Sequence, residues 1–188
     1  MKIRQIDVYK KDLGNAKPYS IAYKVVDEVW NVIVRVTLEN GMSGLGACNP
    51  SSYVVNEDVD KAYQTLSEEN ISFLIGRDIR SFYALVTEVQ ANFSNGTGAR
   101  TALDIALHDV FTKYLEVPLG SFLGQKIQSL PTSVTIGIMN VDKTLEEARE
   151  FYETGFRILK VKIGNELEED VARIARLREV HGDNVAIR

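Results

Sequence analysis

A change of pattern near residue 130 constrains this chain more than any other feature. From Leu130 onward, apolar residues recur first every two positions and then every three to four, in the order strand, helix, strand, helix, strand. That order builds a parallel sheet with helical crossovers. The spacing predicts strands over 133–139 and 156–163. Between them, Leu145, Ala148 and Tyr152 give a helix its apolar stripe, with Asp142 as N-cap and Gly155 as its end. A second helix starts at Asn165. Its first turn is acidic (Glu166, Glu168, Glu169, Asp170) and its last is basic (Arg176, Arg178, His181), which suits the macrodipole at both ends. Gly182 closes it, and Val185 to Arg188 open a third strand. The sequence reads as cut in mid-domain.

The residues before 130 obey another pattern. Ile3, Ile6 and Val8 lie among polar neighbours, Val29 to Leu38 are dense in valine and isoleucine, and Glu39-Asn40-Gly41 reads as a turn. A small antiparallel sheet is expected. After Pro50 the period becomes helical: Val59, Ala62, Tyr63 and Leu66 share one face, with Asn56 as N-cap. Phe82, Leu85, Val86, Val89 and Phe93 repeat the pattern. A third helix, 100–115, is apolar on most sides and is therefore the buried one; Pro118 and Gly120 close it. Two domains are expected, 1–127 and 128–188.

With 45% hydrophobic and 26% charged residues over 188 positions, the chain can pack a core. Its 22 basic residues against 26 acidic ones leave a net charge of -4, so it has no basic field to collect phosphates, and no nucleic-acid partner is expected. No apolar run approaches a membrane span, and the amino end lacks a signal-peptide core. No membrane partner is expected either. The single cysteine, Cys48, cannot pair within the chain, which points to a reducing compartment, and cytoplasm is the expectation.

Chemistry concentrates in Leu159-Lys160-Val161-Lys162-Ile163-Gly164. Side chains alternate along a strand, so Leu159, Val161 and Ile163 share one face while Lys160 and Lys162 share the other. Flanking helices require the apolar face, which leaves the lysines facing whatever the sheet encloses. Lysines inside a barrel are costly without a task, and the carboxyl ends of barrel strands are where such folds keep their active sites. Two ammonium groups on one face repel, which favours at one of them the neutral amine that can accept a proton. On the preceding strand, Ser133, Thr135 and Gly137 share the corresponding face, and Thr135 is a candidate to orient a substrate.

Other signals are weaker. Gly41-x-x-Gly44-x-Gly46 precedes no immediate helix, so it fails the context of a dinucleotide loop and reads as a mobile loop. Asp104 and His108, four apart on the buried helix, read as a hydrogen-bonded pair rather than half a metal site. Cys48 has no neighbouring histidine in sequence to activate it.

Four stretches together carry a resemblance. They are Val32-Ile33-Val34-Arg35-Val36; Ala99-Arg100-Thr101-Ala102-Leu103-Asp104-Ile105-Ala106-Leu107-His108-Asp109; Val117-Pro118-Leu119 to Leu123-Gly124; and Leu159 to Gly164. In order and spacing the chain resembles the enolase superfamily, in its muconate-lactonising branch, and is most similar there to the dipeptide epimerases.

The resemblance implies an α+β capping domain of antiparallel strands and helices, followed by the first strand-helix units of a TIM-like (β/α)7β barrel, incomplete here. It implies that Lys162 abstracts the proton α to a carboxylate and that Lys160 assists electrostatically. It also implies Mg2+, with the acidic metal ligands and the opposing lysine base expected beyond Arg188, so that no metal ligand lies within this chain. The segment Pro18-Tyr19-Ser20-Ile21-Ala22-Tyr23-Lys24 matches the loop that closes over substrate, and Lys24 stands where Ala-Glu epimerases carry an arginine. Tyr23, Lys24, Ser52 and Thr135 are the substrate-binding candidates, and Ala47 to Pro50 matches the dipeptide epimerase pattern. The implied partner is a small molecule, a dipeptide, handled by a homo-oligomer. Muconate cycloisomerase, o-succinylbenzoate synthase and N-acylamino acid racemase are the enzymatic alternatives. A non-catalytic binding module is the alternative from another class.

Overall fold

The computed structural model describes residues 1–15, 19–21, 24–26 and 28–188, with 19–21 and 24–26 described by their backbone. The strands are β1 (Ile3–Asp12), β2 (Tyr19–Ile21), β3 (Lys24–Val26), β4 (Trp30–Leu38), β5 (Ser43–Cys48), β6 (Val134–Ile136), β7 (Ile158–Val161) and β8 (Ala186–Ile187). The helices are α1 (Ser52–Val55), α2 (Val59–Thr65), α3 (Glu68–Ile71), α4 (Phe82–Asn92), α5 (Thr97–Tyr114), α6 (Leu119–Phe122), α7 (Val141–Glu153) and α8 (Leu167–His181). They form two compact units, Met1–Gly14 with Val29–Lys126 and Asn15–Glu28 with Ile127–Arg188.

The first unit is an antiparallel sheet in the order β1-β4-β5, with helices packed on it. Alternation along β4 turns Val32, Val34, Val36 and Leu38 into the core, all fully buried. Each such side chain contributes about 1.5–3 kcal/mol by leaving water. The register sets Val36 beside Gly44, Val34 beside Gly46 and Val32 beside Cys48. These three β5 positions are buried while Leu45 and Ala47 are exposed. The glycine run is therefore not a mobile loop, as its composition suggests, but a strand. A Cβ at Gly44 or Gly46 would stand 2.6 Å from the backbone of Ala106, so only glycine lets α5 lie this close. Helix α5 answers with its own small residues, burying Gly98, Ala99, Ala102 and Ala106.

Because β5 is an edge strand, its outward N–H groups need partners. Asp109 on α5 accepts the Leu45 N–H at 2.8 Å, and Lys113 holds Asp109 at 2.8 Å while also donating to the Ser43 carbonyl at 3.1 Å. Two helix caps differ from expectation. In this unit Asp58, not Asn56, caps α2 by accepting the Lys61 N–H at 2.8 Å, while Asn56 takes the left-handed conformation that ends α1. Both residue types cap well, and the geometry of the short α1 decides between them.

In the second unit, β6, β7 and β8 form a parallel sheet in chain order, with α7 and α8 as crossovers. The strands are shorter than the sequence pattern predicts: β6 stops at Ile136 and β7 spans Ile158–Val161 only. Ile163, expected on the buried face, is 60% exposed, because the chain has left the sheet by then. Asn140, not Asp142, caps α7, accepting the Lys143 N–H at 3.0 Å. Helix α8 starts at Leu167, two residues after Asn165, and keeps its acidic first turn and basic last turn. Gly182 comes next, at φ 54. Ile136, Ala148, Leu159, Val161, Leu177 and Val185 form this unit's core. Separately, β2 and β3 pair antiparallel, with Tyr19 opposite Val26 and Ile21 opposite Lys24.

Candidate active-site strand

The lysine-bearing strand is the middle of three. Parallel register places Thr135 of β6 beside Lys160 of β7, and both are exposed while Leu159 and Ile136 are fully buried. The two-face reading therefore holds over Leu159, Lys160 and Val161 but not at Ile163: Leu159 and Val161 join the core with residues of α7 and α8, and Lys160 is exposed. Lys162 is the first residue past β7 and is half-buried. Its backbone still keeps to the pleat. The Val161 N–H donates to Arg188 on one side at 2.9 Å, and the Lys162 N–H donates to Ile136 on the other at 3.0 Å. Successive amides pointing to opposite neighbours are the mark of an extended strand, so Lys162 lies on the face of Lys160.

The turn after Lys162 is held from α8. Asp170 accepts the Gly164 N–H at 2.8 Å, and Gly164 sits at φ 118, a conformation that favours glycine. Arg173 pairs with Asp170 and donates to the Lys162 carbonyl at 2.9 Å and to the Gly137 carbonyl at 3.3 Å. The Gly164 N–H, with the Arg173 guanidinium beside it, holds the Asp170 carboxyl below the usual carboxylate range. Sequence reasoning missed this pair. It counted Asp170 as a dipole residue and left Arg173 out. The available signal was spacing: Asp170, Arg173, Leu177 and His181 are the buried positions of α8 and recur on one face.

Ser52 opens α1 in the first unit, where it is exposed. Tyr23 lies outside the described residues, and Lys24 is described only as a backbone position in β3. Asp104 and His108 form a local pair: Nδ1 of His108 donates to the Asp104 carbonyl at 2.8 Å and lies 3.3 Å from its carboxylate. The His108 ring stands edge-on to Phe82. Cys48 is buried, and that burial, reinforced by the negative charge of Glu57, pushes its thiol up to about 11. Such a thiol is no nucleophile near neutral pH. Glu57 was also missed; it is 2% exposed and accepts the Gly98 N–H at 2.6 Å.

Mg2+ takes oxygen ligands, several of them carboxylates. Among the described residues no group of three or more His, Cys, Asp or Glu stands together to hold a metal ion, so these residues do not fit that site. No helix among them is long and apolar enough to cross a membrane.

An antiparallel sheet with packed helices defines the class, the capping-domain architecture of the enolase superfamily, and here parallel strand-helix units follow it in the chain. Residues 4–124 match the model of the mandelate racemase / muconate lactonizing enzyme N-terminal domain, and the chain belongs to that family. Over its full length it is 42% identical to an L-Lys-D/L-Arg epimerase of Desulforapulum autotrophicum, covering 53% of that protein. It is 40% identical to an L-Lys-D/L-Arg epimerase of Methylococcus capsulatus, again covering 53%. A crystal structure of the Methylococcus capsulatus dipeptide epimerase with Mg and the dipeptide L-Arg-D-Lys superposes with TM-score 0.94 at 40% identity, over 100% of this chain and 53% of that one. The chain thus spans about half the length of the curated relatives it matches.

Proposed function

We propose that the protein containing this chain epimerises a dipeptide at the carbon α to a carboxylate, with Lys162 as the proton-abstracting base and Lys160 as its electrostatic partner. In this reading residues 1–127 form the capping domain and 128–188 begin the catalytic barrel. The observation that carries it is the placement of Lys160 and Lys162 on the open face of β7, beside Thr135, at the carboxyl end of the strand. The two relatives at 42% and 40% identity are both named for a basic dipeptide, which favours a substrate of that kind.

Lys162 Nζ takes the α-proton as the Cα–H bond breaks, and the electron pair passes into the carboxylate as an enediolate. The opposing lysine expected beyond Arg188, as its ammonium, then gives a proton to the opposite face, restoring the Cα–H bond with inverted configuration and becoming the neutral amine. Nothing is oxidised or reduced. An α-proton beside a carboxylate is too weakly acidic for a lone amine, so the enediolate charge must be stabilised. The ammonium of Lys160 supplies part of that stabilisation. The Mg2+ expected from the family would require ligands other than the described residues.

The test incubates full-length protein with a dipeptide panel in deuterated water. Deuterium should enter the α-position of a dipeptide, and first in the Lys- and Arg-containing members. Turnover of muconate with no deuterium in any dipeptide would reject the epimerase reading in favour of a cycloisomerase.

A further inference from the structure

We infer that Arg173, oriented by Asp170, is a positioning residue for Lys162: its guanidinium ties together the carboxyl ends of β6 and β7 at the point where the base leaves the sheet. The inference rests on the proposed role of Lys162.

Three observations converge. First, the β6–β7 ladder ends with the Lys162 N–H on Ile136, and the carbonyls just beyond it, those of Gly137 and Lys162, are taken by the two terminal nitrogens of Arg173. One planar fork therefore bridges two neighbouring strands, a geometry that a lysine cannot copy. Second, Arg173 is 1% exposed on a helix face whose neighbours Ile174 and Leu177 already pack against the sheet. A buried cation is a costly way to pack a helix, and an apolar residue of like size would serve packing as well or better. Third, Nε of Arg173 is buried without a partner among the described groups, whereas both terminal nitrogens are engaged. The side chain's placement is thus set by the strand carbonyls and by Asp170, which itself fixes the Gly164 N–H on the far side of Lys162. Lys162 is consequently held from both sides of its own residue, through its carbonyl and through the turn after it.

A base must reach a carbon within a fraction of an ångström, and a displacement of about 1 Å can cost about a hundredfold in rate. Losing this support should therefore appear at Lys162 and the contacts that flank it, and leave the Val161 side of the strand in place.

The test uses full-length protein carrying Arg173→Met, with two readouts. Backbone amide exchange at Lys162 should rise by about tenfold while Val161, bonded to Arg188, changes by less than about twofold. The rate of α-proton exchange should fall by about 10–100-fold for the dipeptide stereoisomer that faces Lys162, with KM within about twofold and exchange of the opposite stereoisomer retained. If R173M does not fold, Arg173→Lys, which keeps the charge opposite Asp170 but cannot span both carbonyls, should give the same one-sided pattern at smaller size. Equal losses for both stereoisomers, or an unchanged Lys162 amide, overturn the assignment. If the wild-type protein exchanges no dipeptide α-proton, the epimerase reading falls, and the Lys162 amide alone decides for or against Arg173.

Discussion

Glu57 reaches across the chain to Gly98: its carboxylate accepts the Gly98 N–H at 2.6 Å, at the start of α5. That helix has Gly96 as its N-cap and no side-chain cap of its own, so Glu57 acts as the cap from a distant segment. The negative carboxylate also meets the positive end of the helix dipole. Replacing it with alanine should destabilise the protein by about 1.5–3 kcal/mol, the range for a hydrogen bond to a charged group. Glu57→Gln keeps an oxygen acceptor and should lose less. Urea midpoints of the two variants check this, and an E57A midpoint equal to wild type would show that α5 does not depend on Glu57.

The seam between β5 and α5 allows a second test. Gly46→Ala forces a methyl group against the backbone of Ala102 and Ala106. Overpacking of this kind costs about 1–3 kcal/mol. Ala47→Ser, one residue along on the exposed face, should be near neutral. Denaturant unfolding of both separates a close-approach seam from a tolerant surface strand.

Cys48 carries the pH prediction. Its ordinary value of 9.0 applies in the unfolded chain, and in the folded protein burial pushes it up to about 11. Between those values the unfolded state has released a proton that the folded state still holds. Stability therefore falls as pH rises from about 9 to about 11, and is unaffected by this group below that window. Cys48→Ala should flatten this part of the stability curve. Iodoacetamide labelling at pH 8 should be about a hundredfold slower in the folded protein than in urea.

The roles proposed for the two lysines make separable predictions in the full-length protein. Lys162→Ala should abolish exchange of the α-proton on the stereoisomer that faces it and spare exchange from the opposite face. Lys160→Ala should slow exchange without making it one-sided. Deuterium uptake measured separately for each stereoisomer reads both. Near-normal exchange on both stereoisomers in K162A, with complete loss in K160A, would show that the roles are reversed.

Much of the fold is legible from local pattern. The switch from period two to period 3.6 marks the parallel units. The alternation of Leu159, Lys160 and Val161 gives the faces of β7, and the charges of α8 mark its ends. The features that escaped depend on residues that meet only after folding. Gly44 and Gly46 look like loop glycines until Ala102 and Ala106 lie against them. Glu57 looks like a surface acid until Gly98 arrives. Arg173 looks like one more charge on a charged helix until the ends of β6 and β7 supply their carbonyls. Choices between nearby polar residues, Asn56 or Asp58 and Asn140 or Asp142, turn on backbone conformation that composition does not record: Asn56 is left-handed at φ 53, and Asp58 is extended at φ -111.

Because the sheet grows in chain order, β7 is an interior strand with β6 and β8 already bonded to its two sides. The backbone frame of the lysines is therefore complete within these residues. Any segment attached after β8 can diversify without disturbing a single ladder bond of the lysine strand. A lineage built on such a frame can keep the backbone of the lysine strand fixed while the segments around it vary.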